Sequence, residues 1–293
     1  MMFTPFVKQP GGKPRKNKRR ALFYLMAALL ILPALLPVLY TLAGSFMPQE
    51  QLQCLYFALH GGKASLVVLP QGFTLQGYYE VFLASPRFLS RFWISLFICL
   101  TITMSTLIIS AMAGLALAKY RFPGKRLLYG AMILFMLLPL QVTLMPNYLV
   151  LDQLGLLNSY AALILPSVFL PIGTFLLTFT FKKIPDEVLE AARLDGAGTF
   201  SILLRIVVPF GKVGIASLGV LSFIDSWNMV EQPMVFLQDS SRYPLSVFLA
   251  DLQTENFPLQ FVCGILCMLP VTLIFFLFRE ELIQGFDLSG IKG

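Results

Sequence analysis

The length and spacing of the apolar runs constrain this chain more than anything else in it. Six runs stand out, at about 21–46, 92–118, 127–150, 159–181, 206–226 and 258–278. About 20 apolar residues in a helix cross the hydrocarbon core of a bilayer. Inside lipid every backbone N–H and C=O must be satisfied within the protein, so an open chain spans as helix. Only 13% of the residues are charged against 57% hydrophobic, where a soluble domain carries about a quarter charged. The expected fold is therefore all-α and integral to the membrane, with six spans.

Charge orients the spans. Lys8, Lys13, Arg15, Lys16, Lys18, Arg19 and Arg20 crowd ahead of the first run. The loop between spans two and three holds Lys119, Arg121, Lys125 and Arg126 without an acid, and the loop between four and five holds Lys182, Lys183, Arg193 and Arg205. The loop between three and four has only Asp152. The loop between five and six sets Arg242 against Glu231, Asp239, Asp251 and Glu255. Basic loops stay on the cytoplasmic side, which places both termini inside and makes the basic tail a retention and anionic-lipid signal rather than a nucleic-acid arm. The expected organisation is a basic cytosolic tail at 1–20, a first span at 21–46, an extracellular segment at 47–91, a five-span core at 92–280 and a cytosolic tail at 281–293. The first span is too long for the h-region of a cleaved signal, about 7–15 residues.

The remaining composition excludes most chemistry. No G-x-x-x-x-G-K-[ST] phosphate loop occurs, and His60 is the sole histidine. Cys99, Cys263 and Cys267 fall in apolar runs and Cys54 stands alone, so no metal set is completed. No catalytic constellation, cofactor or metal is expected. In span two Thr106, Ser110, Gly114 and Ala118 recur every four residues, a small-residue stripe for close helix packing within the chain or between subunits.

The most informative polar stretch lies between spans four and five. Pro185, Asp186 and Glu187 start a helix, where carboxylates suit the positive end of the dipole. Ala191 and Ala192 keep it narrow, and Asp195-Gly196 is a turn pair. A second short helix at about 198–207 leads into span five. This helix–turn–helix, at about 186–207, leaves alanines and a leucine exposed unless something docks on it.

The run Glu190-Ala191-Ala192, then Gly196 after three residues, then Ile206-Val207-Val208-Pro209 after nine, resembles the EAA signature of permease subunits in ABC importers, with Val208 where Leu is usual. Further segments carry the resemblance over about residues 70–293. They are Ala118-Lys119-Tyr120-Arg121-Phe122-Pro123-Gly124-Lys125-Arg126, Leu154-Gly155-Leu156-Leu157-Asn158-Ser159-Tyr160 with Leu165-Pro166, Ser226-Trp227-Asn228, and the ending Gln284–Gly293. The pattern is similar to the shorter six-span partner of maltose- and glycerol-phosphate-type carbohydrate permeases. Departures at Ile94-Ser95-Leu96, where Asn-Ser-Leu is usual, and at Met229–Pro233 bear on the substrate rather than on the family.

The resemblance implies a six-span ABC importer transmembrane domain without enzymatic activity of its own. It implies a second permease, two ATPase subunits and an extracellular solute-binding protein, and a carbohydrate as cargo. Glu190, Ala191, Ala192, Asp195, Gly196 and Ala197 become the residues expected to couple to the ATPase, and the tail at 281–293 a further ATPase contact. Asp225, Trp227 and Asn228, at the outer end of span five, are expected either to line the pathway, as an acid and an indole suited to a sugar, or to form an interfacial belt. Lys212, about two turns or ~10 Å into span five by helical rise, is expected to snorkel. Asp239, Arg242, Asp251 and Glu255, in the segment 227–257, are candidates for docking the binding protein, against the plainer reading of a solvated loop. A permease for a non-sugar solute is the alternative. An ion-coupled secondary transporter would want intramembrane carboxylates or inverted repeats, and a membrane-embedded enzyme a polar catalytic cluster; neither pattern stands out.

Overall fold

The computed structural model describes residues 16–59, 70–84, 87–251 and 256–289. Among these, all regular structure is helical. Helix α1 (Lys16–Gly44) is followed by α2 (Gln49–Leu59) and, after a short turn at Gln76–Tyr79, by the long α3 (Arg87–Lys119). Then come α4 (Lys125–Leu137), α5 (Leu140–Gln153), α6 (Tyr160–Val168), α7 (Pro171–Lys182) and α8 (Asp186–Leu194). Helix α9 (Thr199–Phe210) runs into α10 (Lys212–Trp227) at a bend. The chain closes with α11 (Glu231–Phe236), α12 (Leu245–Asp251) and α13 (Phe257–Ser289).

Helix α3 is the axis of the bundle, packed against α6, α7, α10 and α12, while α13 lies against α10 and α1. The small-residue stripe explains the closest of these contacts. Thr106 and Ser110 are fully buried. A Cβ on Gly114 would stand 3.0 Å from the Leu177 Cβ and 3.2 Å from the backbone of Leu177 and Thr178. The two backbones approach as near as a missing side chain permits, so the stripe is an interface inside this chain. Buried Ala111, Leu115, Leu177, Phe181 and Leu218 continue that core. Helix α1, by contrast, buries nothing in its apolar window and presents Leu29 and Leu30, each 73% exposed; it meets the bundle near its end, where Tyr40 packs edge-on to Phe261 at 5.5 Å.

Four helical stretches are long and apolar enough to cross a membrane, Phe23–Gly44, Arg87–Lys119, Tyr160–Lys182 and Phe257–Leu282, and two bent pairs bring the number to six. Prolines in and near the apolar runs interrupt the spans. The run at 127–150 is two helices meeting at 109°. Leu138 is extended (ψ 127°) ahead of Pro139, because a proline ring crowds the α conformation of the residue before it. Within 159–181 Phe169 and Leu170 are likewise extended before Pro171. The run at 206–226 divides at Gly211, where α9 and α10 meet at 85°. Pro209 has no N–H to donate, and the turn before it widens to a π-helix over Leu203–Val207. Lys212 is consequently the first residue of α10, at the bend, and exposed. The expected polar tail at 281–293 is helical as far as Ser289, beyond a break at Phe278.

Candidate functional site

The connector between spans four and five folds as a helix–turn–helix seated on the bundle. Leu189 (3% exposed) and Ile184 (1%) enter the core with Phe181, Leu203 and Val207. The turn is built locally. Gly196 has φ +80°, its N–H donates to Arg193 O at 3.0 Å, and the Ala197 N–H donates to Ala192 O at 2.9 Å. This pair of bonds is the Schellman closure, which puts the residue after the cap in the left-handed region. No atom lies within 4 Å of where a Gly196 Cβ would be; the glycine is there for its backbone, not for space.

The loop between spans two and three holds this element in place. Lys119, its side chain 7% exposed, forms an ion pair with Asp186 at 2.6 Å and donates to Ile184 O. The hydrogen bond from Lys119, with its charge, holds the Asp186 carboxyl below its ordinary value of 3.8. The Arg193 guanidinium sits over the Tyr120 ring, 5.4 Å from its centroid. The segments that sequence charge had placed on one membrane face are therefore in contact. What the element shows outward is Glu190, Ala191, Asp195 and Gly196, all exposed, with Leu194 at 89% and Phe200 at 68%. Ala192 and Ala197 are half-buried against the core beneath.

A second feature opens at the opposite ends of these helices. A cavity of about 550 Å³ lies where the break at Leu138 and the break at Phe169-Leu170-Pro171 face the end of α10. Irregular backbone at membrane depth is tolerated where it borders protein or a watery cavity, and here both breaks line one. Asp225, Ser222, Ser226, Thr143, Asn147, Ser167 and Gln232 supply its polar lining. Asp225 is thus brought to the cavity, but Trp227 and Asn228 are not. Trp227 is 7% exposed, stacked on Phe223 at 5.7 Å and edge-on to Phe92, with its indole N–H donated to Cys267 O at 3.2 Å. Asn228 turns back to Ile224 O at 2.9 Å and finishes the helix. Asn147, Thr143 and Gln232 were not singled out in the sequence; only the facing of the two proline breaks brings them together.

The segment 227–257 is less open than its composition implied. Phe236, Leu237, Leu245 and Val247 are buried, and the Leu245 N–H donates to Ser95 Oγ at 2.6 Å. Asp239 caps the turn Ser240–Arg242 by accepting from the Ser241 N–H at 2.8 Å. Asn158, at φ +56°, ties this turn to the loop after α5. Its side-chain oxygen accepts from the Asp239 N–H at 3.1 Å and the Gln238 N–H at 3.3 Å, while Arg242 donates to its carbonyl. Asp239 and Arg242 remain on the surface. Asp251 ends α12, and Glu255, like His60, lies outside the described residues.

Broken spans around a cavity, with a stapled helix–turn–helix at the far end, are the architecture of a membrane transport subunit. Residues 106–286 match the family described as "Binding-protein-dependent transport system inner membrane component", and the chain belongs to that family. It is similar to the arabinooligosaccharides transport system permease protein AraQ of Bacillus subtilis, 29% identical with 93% of this chain and 94% of that protein covered. It is 27% identical to AraQ of Halalkalibacterium halodurans, over 89% and 92% of the two chains. It is 28% identical to the sn-glycerol-3-phosphate transport system permease protein UgpE of Brucella abortus, over 89% and 94%. Among solved structures, a chain of a bacterial ABC transporter involved in the import of the acidic polysaccharide alginate shares the fold, with TM-score 0.77 and 22% identity over 95% of this chain and 100% of that one.

Proposed function

We propose that this chain is the permease subunit of an ATP-driven ABC importer for a carbohydrate, working with a second permease, two ATPase subunits and an extracellular solute-binding protein. Relatives named for oligosaccharide and glycerol-phosphate transport support the cargo class. The observation that carries the coupling is the seat of the helix–turn–helix. It is fixed to the bundle by Leu189, Lys119 and Tyr120 while Leu194 and Phe200 stand in solvent. A rigid mount with an exposed apolar tip transmits displacement from a partner to the spans. In this reading the tip faces the cytosol with both termini, Glu190, Ala191, Ala192, Asp195, Gly196 and Ala197 form the ATPase contact, and the cavity beside Asp225 is this chain's half of the pathway. Trp227 and Asn228 would act by holding the end of α10, and Asp239 and Arg242 would remain available to the binding protein.

The test is carbohydrate uptake into cells expressing the whole transporter, measured with and without vanadate. Vanadate-sensitive uptake that disappears when this chain is deleted is expected. Uptake that follows an ion gradient and ignores vanadate would overturn the proposal.

A further inference from the structure

The charge and hydrogen-bonding character of the cavity narrow the cargo, on the reading that this cavity is the solute pathway. Asp225 is the only ionisable side chain in the lining, and no hydrogen bond or ion pair engages its carboxylate among the described residues. A second carboxylate, Glu231, stands next to the lining residue Gln232 and accepts from Gln141 Nε2 at 2.9 and 3.2 Å. No Lys, Arg or His lines the cavity among the described residues.

The hydroxyls point the same way. Thr143 Oγ1 donates to Leu140 O at 2.8 Å, Ser167 Oγ to Leu163 O at 2.8 Å and Ser226 Oγ to Ser222 O at 2.7 Å. A hydroxyl has one proton to give. With those protons spent on helix carbonyls, the oxygens offer lone pairs to whatever lies in the cavity. The lining is therefore rich in acceptors and negative, with the Ser222 hydroxyl and the Asn147 and Gln232 amides as its side-chain donors among the described residues. Sugar hydroxyls and ammonium groups bring the protons such a surface needs. Phosphate, sulfonate and carboxylate groups bring acceptors only and are ordinarily met by Arg, Lys or clustered N–H groups.

We infer that this cavity passes neutral or amino-substituted carbohydrates and discriminates against anionic ones such as phosphate, sulfonate or uronate derivatives. Family membership leaves that choice open, since one relative is named for arabinooligosaccharides and another for sn-glycerol-3-phosphate.

The test reads the potential of the pathway directly and needs no known substrate. Asn147→Cys is introduced into a Cys54→Ser background, because Cys54 is an exposed free thiol, and the whole transporter is reconstituted in vesicles. Labelling rates are measured with neutral methyl, cationic trimethylammonium-ethyl and anionic sulfonatoethyl methanethiosulfonates, each normalised to a free thiol in solution. The normalised cation-to-anion ratio is expected to be on the order of ten, to fall about fivefold in Asp225→Asn and to invert in Asp225→Lys, the range a single carboxylate exerts at partly screened distances. The ratio with Asp225 intact stands alone if either variant fails to assemble. A thiol that the neutral reagent reaches but that shows no charge preference overturns this inference and leaves the pathway standing. A thiol that the neutral reagent cannot reach, in any nucleotide state, removes the pathway reading itself.

Discussion

The connector after Pro185 and the connector after Asn228 are both polar segments between apolar spans, and they fold by opposite rules. The first closes on itself. Its turn uses the Gly196 and Ala197 N–H groups on carbonyls three and five residues back, and its tip leaves Leu194 and Phe200 in solvent. The second closes on the rest of the chain. Its turn hangs from Asn158, some eighty residues earlier, and its Phe236, Leu237 and Leu245 sit inside the bundle. A segment that keeps its apolar side chains outside while its backbone is satisfied locally is built to meet a partner; one that spends them inside is part of the wall. The same Schellman closure occurs at Leu154-Gly155-Leu156, with Gly155 at φ +65°, beside the second segment, so one local motif serves both ends and its surroundings decide its use.

Matched substitutions in that motif should break the comparison most sharply. Gly196→Val forces a β-branched residue into the left-handed region, at roughly 1–2 kcal/mol of local strain. Uptake is expected to fall more than tenfold while the subunit still inserts, because the turn presents the tip. Gly196→Asn, which tolerates that region, should retain most uptake. Gly155→Val suffers the same strain but should lower thermal stability without separating ATP hydrolysis from uptake. Equal uncoupling by both valines would remove the distinction between the two ends.

Asn158→Ala deletes an acceptor of two backbone N–H groups and a residue tolerant of φ +56°. A loss of about 2 kcal/mol is expected, read as faster proteolysis at 237–243 in the reconstituted protein. Asn158→Gly should recover the backbone part only. Point changes are the right tool here, since excising 239–256 would also remove Leu245 and Val247 from the core.

Lys119→Met removes the ion pair to Asp186 and the bond to Ile184 O while keeping the apolar stem. A several-fold drop in uptake at constant basal ATP hydrolysis is expected, and unchanged uptake would show that Leu189 and Tyr120 suffice as the seat. The pH dependence sharpens this. Lys119 depresses the Asp186 carboxyl below 3.8, so the folded state is favoured by the pair above that value and loses the contribution only as pH falls through the lower folded value. Uptake between about pH 5 and 8 should therefore carry no step from this pair; a step in that window absent from Asp186→Asn would contradict the assignment.

The smallest expected effect is on stability at the tip. Leu194→Ser, at 89% exposure, should shift unfolding by less than about 0.5 kcal/mol and still lower the affinity for the ATPase in pull-down of the purified subunits. A large stability loss would mean that Leu194 is covered within this chain.

Much of this was legible in the amino-acid order because the causes are local. Hydropathy sets which runs enter lipid, since desolvating a polar backbone is costly whatever the fold. Proline and glycine chemistry marks the turn at Gly196, and the spacing from Glu190 to Pro209 carries the family. The same chemistry placed Pro139, Pro171 and Pro209 near the spans, but not the 109° and 85° bends they produce, which depend on what packs beside the break. Asp225, Trp227 and Asn228 lie within one helical turn in sequence, and a helix sends such residues in different directions; only the position of α10 against α3 and α13 puts Trp227 in the core and Asp225 in the cavity. The stripe from Thr106 to Ala118 announced a close contact without naming its partner, which the approach of Leu177 to Gly114 identifies as α7. The sequence by itself determined the membrane class, the turn at Gly196 and the family, because each follows from short-range chemistry. The tertiary structure alone decided the cavity, the Asn158 staple and the Lys119 seat, because each joins side chains whose distance along the chain contains no information about their distance in space.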